Sequence, residues 1–138
     1  MKKILLLLTI ILVISCEHKI VTRNNDPNDI KDAEKELSEI YKLIVAGDTL
    51  NLKKRFKDGT WADFKNALDK TKTLNGEILK AQNSRIQTVV KQNNDEKPFK
   101  RYEYEVNVTY EKGKTIETIG METYNDKMYV YSFWFKLQ

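Results

Sequence analysis

Residues 101–111 read Arg101-Tyr102-Glu103-Tyr104-Glu105-Val106-Asn107-Val108-Thr109-Tyr110-Glu111. Tyr102, Tyr104, Val106, Val108 and Tyr110 occupy every second position, and Arg101, Glu103, Glu105, Asn107, Thr109 and Glu111 fall between them. Successive strand side chains point to opposite faces, so this period of two predicts a strand with one dry and one wet face. Such a strand needs partners. Lys112-Gly113 supplies a hairpin turn, a strand follows over residues 115–124, Asn125-Asp126 turns again, and residues 127–137 return. Upstream, residues 77–91 also alternate and read as one long strand or two with a bend. The C-terminal half is therefore an antiparallel meander.

Before Gly76 the period changes. Ile30, Ala33, Leu37, Ile40, Tyr41 and Ile44 recur three and four apart and line one helical face, with Pro27, Asn28 and Asp29 as start signals and Gly47 as the stop. Asp48 is placed to cap a shorter piece in which Leu50, Leu52 and Phe56 point inward while Lys53, Lys54 and Lys57 stay wet. Asp58-Gly59 turns the chain. Thr60 and Asp63 form a capping-box-like pair ahead of Trp61, Phe64, Ala67, Leu68 and Leu74, a second helix that ends near Asn75-Gly76. Helices followed by a meander predict an α+β fold, with N-terminal helices packed on a curved antiparallel four-stranded sheet.

The chain opens differently. Lys2 and Lys3 precede residues 4–14, aliphatic apart from Thr9, and the run breaks at Ser15 before Glu17, His18 and Lys19. A membrane helix needs ~20 apolar residues, so this stretch reads as an export signal and not as a span. Val13-Ile14-Ser15-Cys16 resembles the lipobox of bacterial lipoproteins. That resemblance implies cleavage between Ser15 and Cys16, a diacylglycerol on the Cys16 thiol, and acyl chains such as palmitate that tie the protein to a membrane it does not cross. The lipid on Cys16 replaces any cofactor; none other is expected. Residues 1–15 are then the signal peptide, 16–28 the lipidated cysteine and a flexible tether rich in Asn, Asp and Pro, and 29–138 a single domain. The expected location is the cell envelope. In a Gram-negative cell that is the periplasmic face or outer membrane, and in a Gram-positive cell the outer leaflet of the cytoplasmic membrane.

The order of elements over residues 29–138 is similar to the cystatin-like and NTF2-like folds, as in small bacterial lipoproteins of that type. NTF2-like proteins usually place a hairpin between their second and third helices; here only residues 57–60 lie there, so the simpler cystatin-like layout fits better. The NTF2-like resemblance implies an alternative, an enzyme or ligand pocket built from Asp63, Tyr102, Tyr104, Tyr124, Tyr129 and Tyr131. The cystatin-like resemblance implies another, a protease inhibitor, because Gln87-Thr88-Val89-Val90-Lys91 is similar to the Q-x-V-x-G hairpin loop, with Lys91 replacing the closing glycine.

Chemistry is sparse. The one histidine, His18, lies two residues past the lipidated cysteine, where a tether holds no general base to catalytic tolerance. Lipidation consumes the one cysteine, and no calcium, zinc, phosphate-loop or nucleophile-elbow spacing appears, so neither a catalytic residue nor a metal is expected. The formal charge of +4 falls to +2 once Lys2 and Lys3 leave, and Lys53, Lys54, Arg55 and Lys57 are interrupted by Phe56, so nucleic acid is not an expected partner. The last strand is more informative. Tyr129, Tyr131, Phe133 and Phe135 alternate with Met128, Val130 and Trp134, making it apolar or aromatic on both faces, while helices cover one. The four aromatics are therefore the expected interaction surface, closed by an envelope protein, a second copy or a small ligand, or else covered by loop segments, lysine stems and the bend of the 77–91 strand. Together these features predict a membrane-anchored, non-enzymatic binding module.

Overall fold

A computed structural model of the chain describes residues 21–92 and 99–138. Its first helix, α1 (Pro27–Ala46), starts where Asp26 accepts a hydrogen bond from the Asn28 N–H at 2.9 Å, and Pro27 loses nothing by lacking its own N–H in the first turn. Gly47 ends it in the left-handed region (φ 67°), while the Asp48 N–H reaches back to the Leu43 carbonyl. Ala33, Leu37, Ile40, Tyr41 and Ile44 are buried, as the spacing predicts.

Asp48 caps α2 (Thr49–Lys53) through the Asn51 N–H at 3.1 Å. Leu52 and Phe56, four apart, turn inward; Leu50 is 78% exposed, because it lies on the opposite side of so short a helix. α3 (Trp61–Asn75) buries Phe64, Leu68 and Thr71. Thr60 does not cap it as expected. Its backbone is itself helical (φ −88°, ψ −20°), which turns the hydroxyl back to donate to the Lys57 carbonyl at 2.7 Å.

Four strands, β2 (Ile78–Gln92), β3 (Phe99–Tyr110), β4 (Lys114–Tyr124) and β5 (Lys127–Leu137), form the antiparallel meander that the alternation predicts, so the chain is an α+β domain with helices on a meander sheet. A short strand, β1 (Val21–Asn24), adds a fifth member by pairing antiparallel to β2, from Val21 opposite Gln92 to Asn24 opposite Val89. Residues 21–24 fall inside the expected tether 16–28. They belong to the sheet because the β2 edge offers unpaired backbone groups that a four-residue strand can satisfy.

The inner face carries Tyr102, Tyr104, Val106, Val108 and Tyr110 from β3, and Thr115, Glu117, Ile119 and Met121 from β4, all buried. With Val130 of β5 and the apolar stripes of the three helices they make one continuous core. At one end Asp29, buried in the first turn of α1, takes a 2.9 Å ion pair from Lys100. Beyond α2, Phe56 bridges to Val130: the Val130 N–H donates to the Arg55 carbonyl (2.8 Å) and the Lys57 N–H to the Val130 carbonyl (2.9 Å), covering part of the outer edge of β5.

Candidate interaction surface

Four aromatics on alternate positions should share a face, but β5 does not keep a strict period of two. Ser132 is opposite Gly120 and Val130 opposite Met121, so Tyr131 is an extra residue with no partner of its own in the register. This bulge turns the pattern over. A Cβ on Gly120 would meet the Ser132 Oγ at 2.2 Å and the Tyr131 ring at 2.8 Å, so both side chains lie against that glycine on the outer face. Phe133 and Phe135 then point inward, half-buried, with the Phe133 ring 4.6 Å from Phe64 of α3 in an edge-on contact. The expected surface of Tyr129, Tyr131, Phe133 and Phe135 is thus divided: the phenylalanines complete the core and the tyrosines stay outside. Trp134, expected on the other side, joins the outer face opposite Thr118 and is 70% exposed.

Outside, Tyr131 is held by charge. The Arg101 guanidinium sits 4.7 Å from its ring centre and 5.3 Å from that of Phe99, and it also pairs with Glu122 at 3.4 Å. Lys57 reaches the same carboxylate at 2.6 Å, and Tyr129 is opposite Glu122 in the register. Phe99, Arg101, Glu122, Tyr129 and Tyr131 form one aromatic and ionic patch. Between α3 and β5 a groove of about 430 Å³ is lined by Thr60, Asp63 and Phe64 on one side and Tyr131, Phe133 and Trp134 on the other. A second groove, about 560 Å³, runs between α1 and β2 past Leu37, Tyr41, Val45, Ile78 and Leu79.

Inside, one carboxylate has no such access. Glu117 is 1% exposed and accepts hydrogen bonds from the hydroxyls of Tyr41 (2.6 Å), Tyr110 (2.7 Å) and Thr115 (2.9 Å). Burial raises its pKa above the ordinary carboxylate value, and the three hydroxyls oppose that rise. Burial and the neighbouring carboxylate push Tyr41 and Tyr110 upward as well. Through Tyr41 these bonds join α1 to the sheet, and Tyr41 in turn lines the α1–β2 groove.

The residues nominated for an enzyme pocket are scattered. Asp63 is exposed in the first turn of α3, Tyr102 and Tyr104 are in the core, Tyr124 is 68% exposed, and Tyr129 and Tyr131 are on the outer face. Gln87 to Lys91 are not a loop: they pair with residues 99–103 of β3, and Val89 to Lys91 pair also with β1. Ser15, Cys16 and His18 lie outside the described residues. Among the described residues no group of three metal-ligating side chains comes together, and no helix is long and apolar enough to cross a membrane. Sequence reasoning did not single out Arg101, Glu122 or Glu117; alternation along β4 sets Glu117 beside Ile119 and Met121, a carboxylate on a dry face, and that was its signal. In comparisons with known proteins the chain matches no family model, no curated protein and no solved structure.

Proposed function

We propose that this chain is a bacterial lipoprotein whose α+β domain is a non-enzymatic binding module of the cell envelope, anchored by acyl chains on Cys16. The observation that carries the proposal is the run Val13-Ile14-Ser15-Cys16 directly after a charged and then aliphatic stretch. Each buried methylene contributes ~0.8 kcal/mol, so two or three acyl chains hold the domain durably at a bilayer. What supports a binding role over catalysis is that Glu117, among the described residues a deeply buried carboxylate with hydroxyl partners, is engaged in joining α1 to the sheet. Trp134, bare beside the α3–β5 groove, is the anchor this reading assigns for a protein partner. A cystatin-like layout agrees with this reading.

The test uses the full chain expressed in bacteria. The N-terminal peptide should carry a diacylglyceryl group on Cys16, and Cys16→Ser should move the protein from the membrane to the soluble fraction. An envelope partner captured by the wild type should be lost on Trp134→Ala. An unmodified Cys16 would sink the anchor, and capture unchanged by Trp134→Ala would sink the assigned surface. A second reading, a small apolar ligand between α1 and β2, is favoured by Val45 and Leu79, 59% and 65% exposed at that groove. Saturable stabilisation by such a ligand in a thermal-shift screen, abolished by Leu79→Asp, would select it.

A further inference from the structure

The two sides of the sheet end differently. On one, β2 is interrupted by register irregularities between Ile78 and Lys80 and between Asn83 and Arg85, and β1 pairs with its last residues, Val89 to Gln92. Such irregularities keep an edge from accepting another strand. On the other, the register of β5 runs from Ser132 to Leu137 without a break. Residues 55–57 close this edge only at Val130, whose N–H and carbonyl point away from β4 to meet Arg55 and Lys57. At the far end the Gln138 N–H donates to the Lys114 carbonyl at 3.1 Å and so points toward β4. Backbone groups alternate in direction along a strand, so those of Phe133, Phe135 and Leu137 point away from β4. Among the described residues no other backbone group takes them.

Room for a further strand lies alongside. The α3–β5 groove of about 430 Å³ is lined by successive residues of β5, Val130 to Trp134, and so opens on the edge of the strand as well as on its faces. The side chains on β5 decide what fits there. Antiparallel pairing about a two-fold axis at Phe135 sets Phe133 opposite Leu137 of a second copy, Phe135 opposite its own copy, and Trp134 opposite Lys136. Residues directly opposite share a face of the sheet. On the outer face each Trp134 indole, 70% exposed, therefore meets the exposed ammonium of the other Lys136, and symmetry makes that contact twice. On the inner face the half-buried Phe135 ring, 4.4 Å from Phe133, gains its own copy as a neighbour. Adjacent registers fail. An axis at Lys136 sets two ammonium groups against each other, and an axis at Trp134 sets Gln138 opposite Val130, whose groups Arg55 and Lys57 already hold.

We propose that the open edge of β5 is a homodimer interface, at which two copies of this chain join their sheets antiparallel about a two-fold axis at Phe135. The inference rests on the reading of Trp134 as an anchor for a protein partner and names that partner as a second copy; it does not rest on the lipid. Backbone bonds from Phe133, Phe135 and Leu137 of each strand hold the pair, and the Trp134–Lys136 contacts fix its register.

The test uses the full chain carrying Cys16→Ser, in which an introduced cysteine is the sole thiol. Trp134→Cys and Lys136→Cys are made in separate chains; both side chains are exposed, so folding is retained. In the proposed register positions 134 and 136 of the two copies have Cα atoms ~4.5 Å apart, within reach of a disulfide, whereas 134 with 134 and 136 with 136 are diagonal at ~7–8 Å. On mild oxidation an equal mixture of the two proteins should give several-fold more covalent dimer than either alone, linked from 134 to 136. Sedimentation equilibrium of the Cys16→Ser chain should show a dimer that dissociates on dilution, and Trp134→Ala should weaken it about tenfold. A monomer at every concentration up to ~1 mM, or equal cross-linking in the mixture and in either protein alone, overturns the pairing. A monomer that still captures an envelope protein through Trp134 removes the second copy and leaves the binding surface; a chain that neither pairs nor captures removes both.

Discussion

Replacing Tyr41 by Phe removes one oxygen from the interior and leaves the ring in place. The hydroxyl donates at 2.6 Å to a Glu117 carboxylate that is 1% exposed. A hydrogen bond to a charged acceptor contributes ~1.5–3 kcal/mol, so Tyr41→Phe should cost about 2 kcal/mol at pH 7.5. The pH dependence gives the reasoning its edge. The pKa of Glu117 is raised by burial, and among the hydroxyls that hold it down Tyr41 is the strongest, so the variant raises it further. A carboxyl with a folded pKa above its unfolded value stabilises the fold when protonated; that contribution is complete below the unfolded value and is lost as pH rises through the folded one. At pH 4.5 more of the folded carboxyl is neutral and the missing donor matters less, so the loss should shrink to about 1 kcal/mol. Urea unfolding of residues 21–138, followed by circular dichroism at both pH values, measures it. In a Glu117→Gln background the cost of Tyr41→Phe should not vary with pH, and the wild type should gain stability over Glu117→Gln as pH falls toward 4.5. An equal loss at both pH values in the native background would refute a charged acceptor at Glu117.

Two further substitutions probe the middle of β4 and one end of β3. Gly120→Ala drives a methyl into the Ser132 hydroxyl and the Tyr131 ring, and should cost about 1–3 kcal/mol by overpacking, with part recovered by adding Tyr131→Ala; no recovery would show that the clash is elsewhere. Lys100→Met leaves Asp29 buried without its cation at 2.9 Å, while its place in the first turn of α1 retains some dipole stabilisation. A thermal melt should show a loss of about 1–3 kcal/mol, largely restored by Asp29→Asn in the same chain; a double variant no more stable than Lys100→Met would count against the pair.

Most of the element order was legible because β3 alternates without a break and α1 has both a proline start and a glycine stop. Local signals failed where a distant partner decides. Residues 21–24, Val-Thr-Arg-Asn, carry no period of their own, and their strand exists because residues 89–92 present an edge. Leu74, read as inward, is 56% exposed near the end of α3, one turn past the last buried position, Thr71. The candidate surface was half legible. Counting by twos from Tyr129 grouped Phe133 and Phe135 with the tyrosines, and only the bulge at Tyr131 separates them. Gly120, an isolated glycine in a strand, was the available signal for that bulge. Arg101 could not be assigned to Tyr131 from sequence, since the two are on strands that do not adjoin.

If Cys16 carries the proposed lipid, β1 is the described element through which a mechanical load passes between membrane and domain. Its backbone bonds lie across the strand direction, so a pull on Val21 along the strand runs at right angles to them. All the pairs from Val21–Gln92 to Asn24–Val89 are then strained together in shear, and none can be opened singly like a zip. The short strand that periodicity does not reveal would thus serve as the fastening of the tether, with a strength set by how many residues it lays along β2.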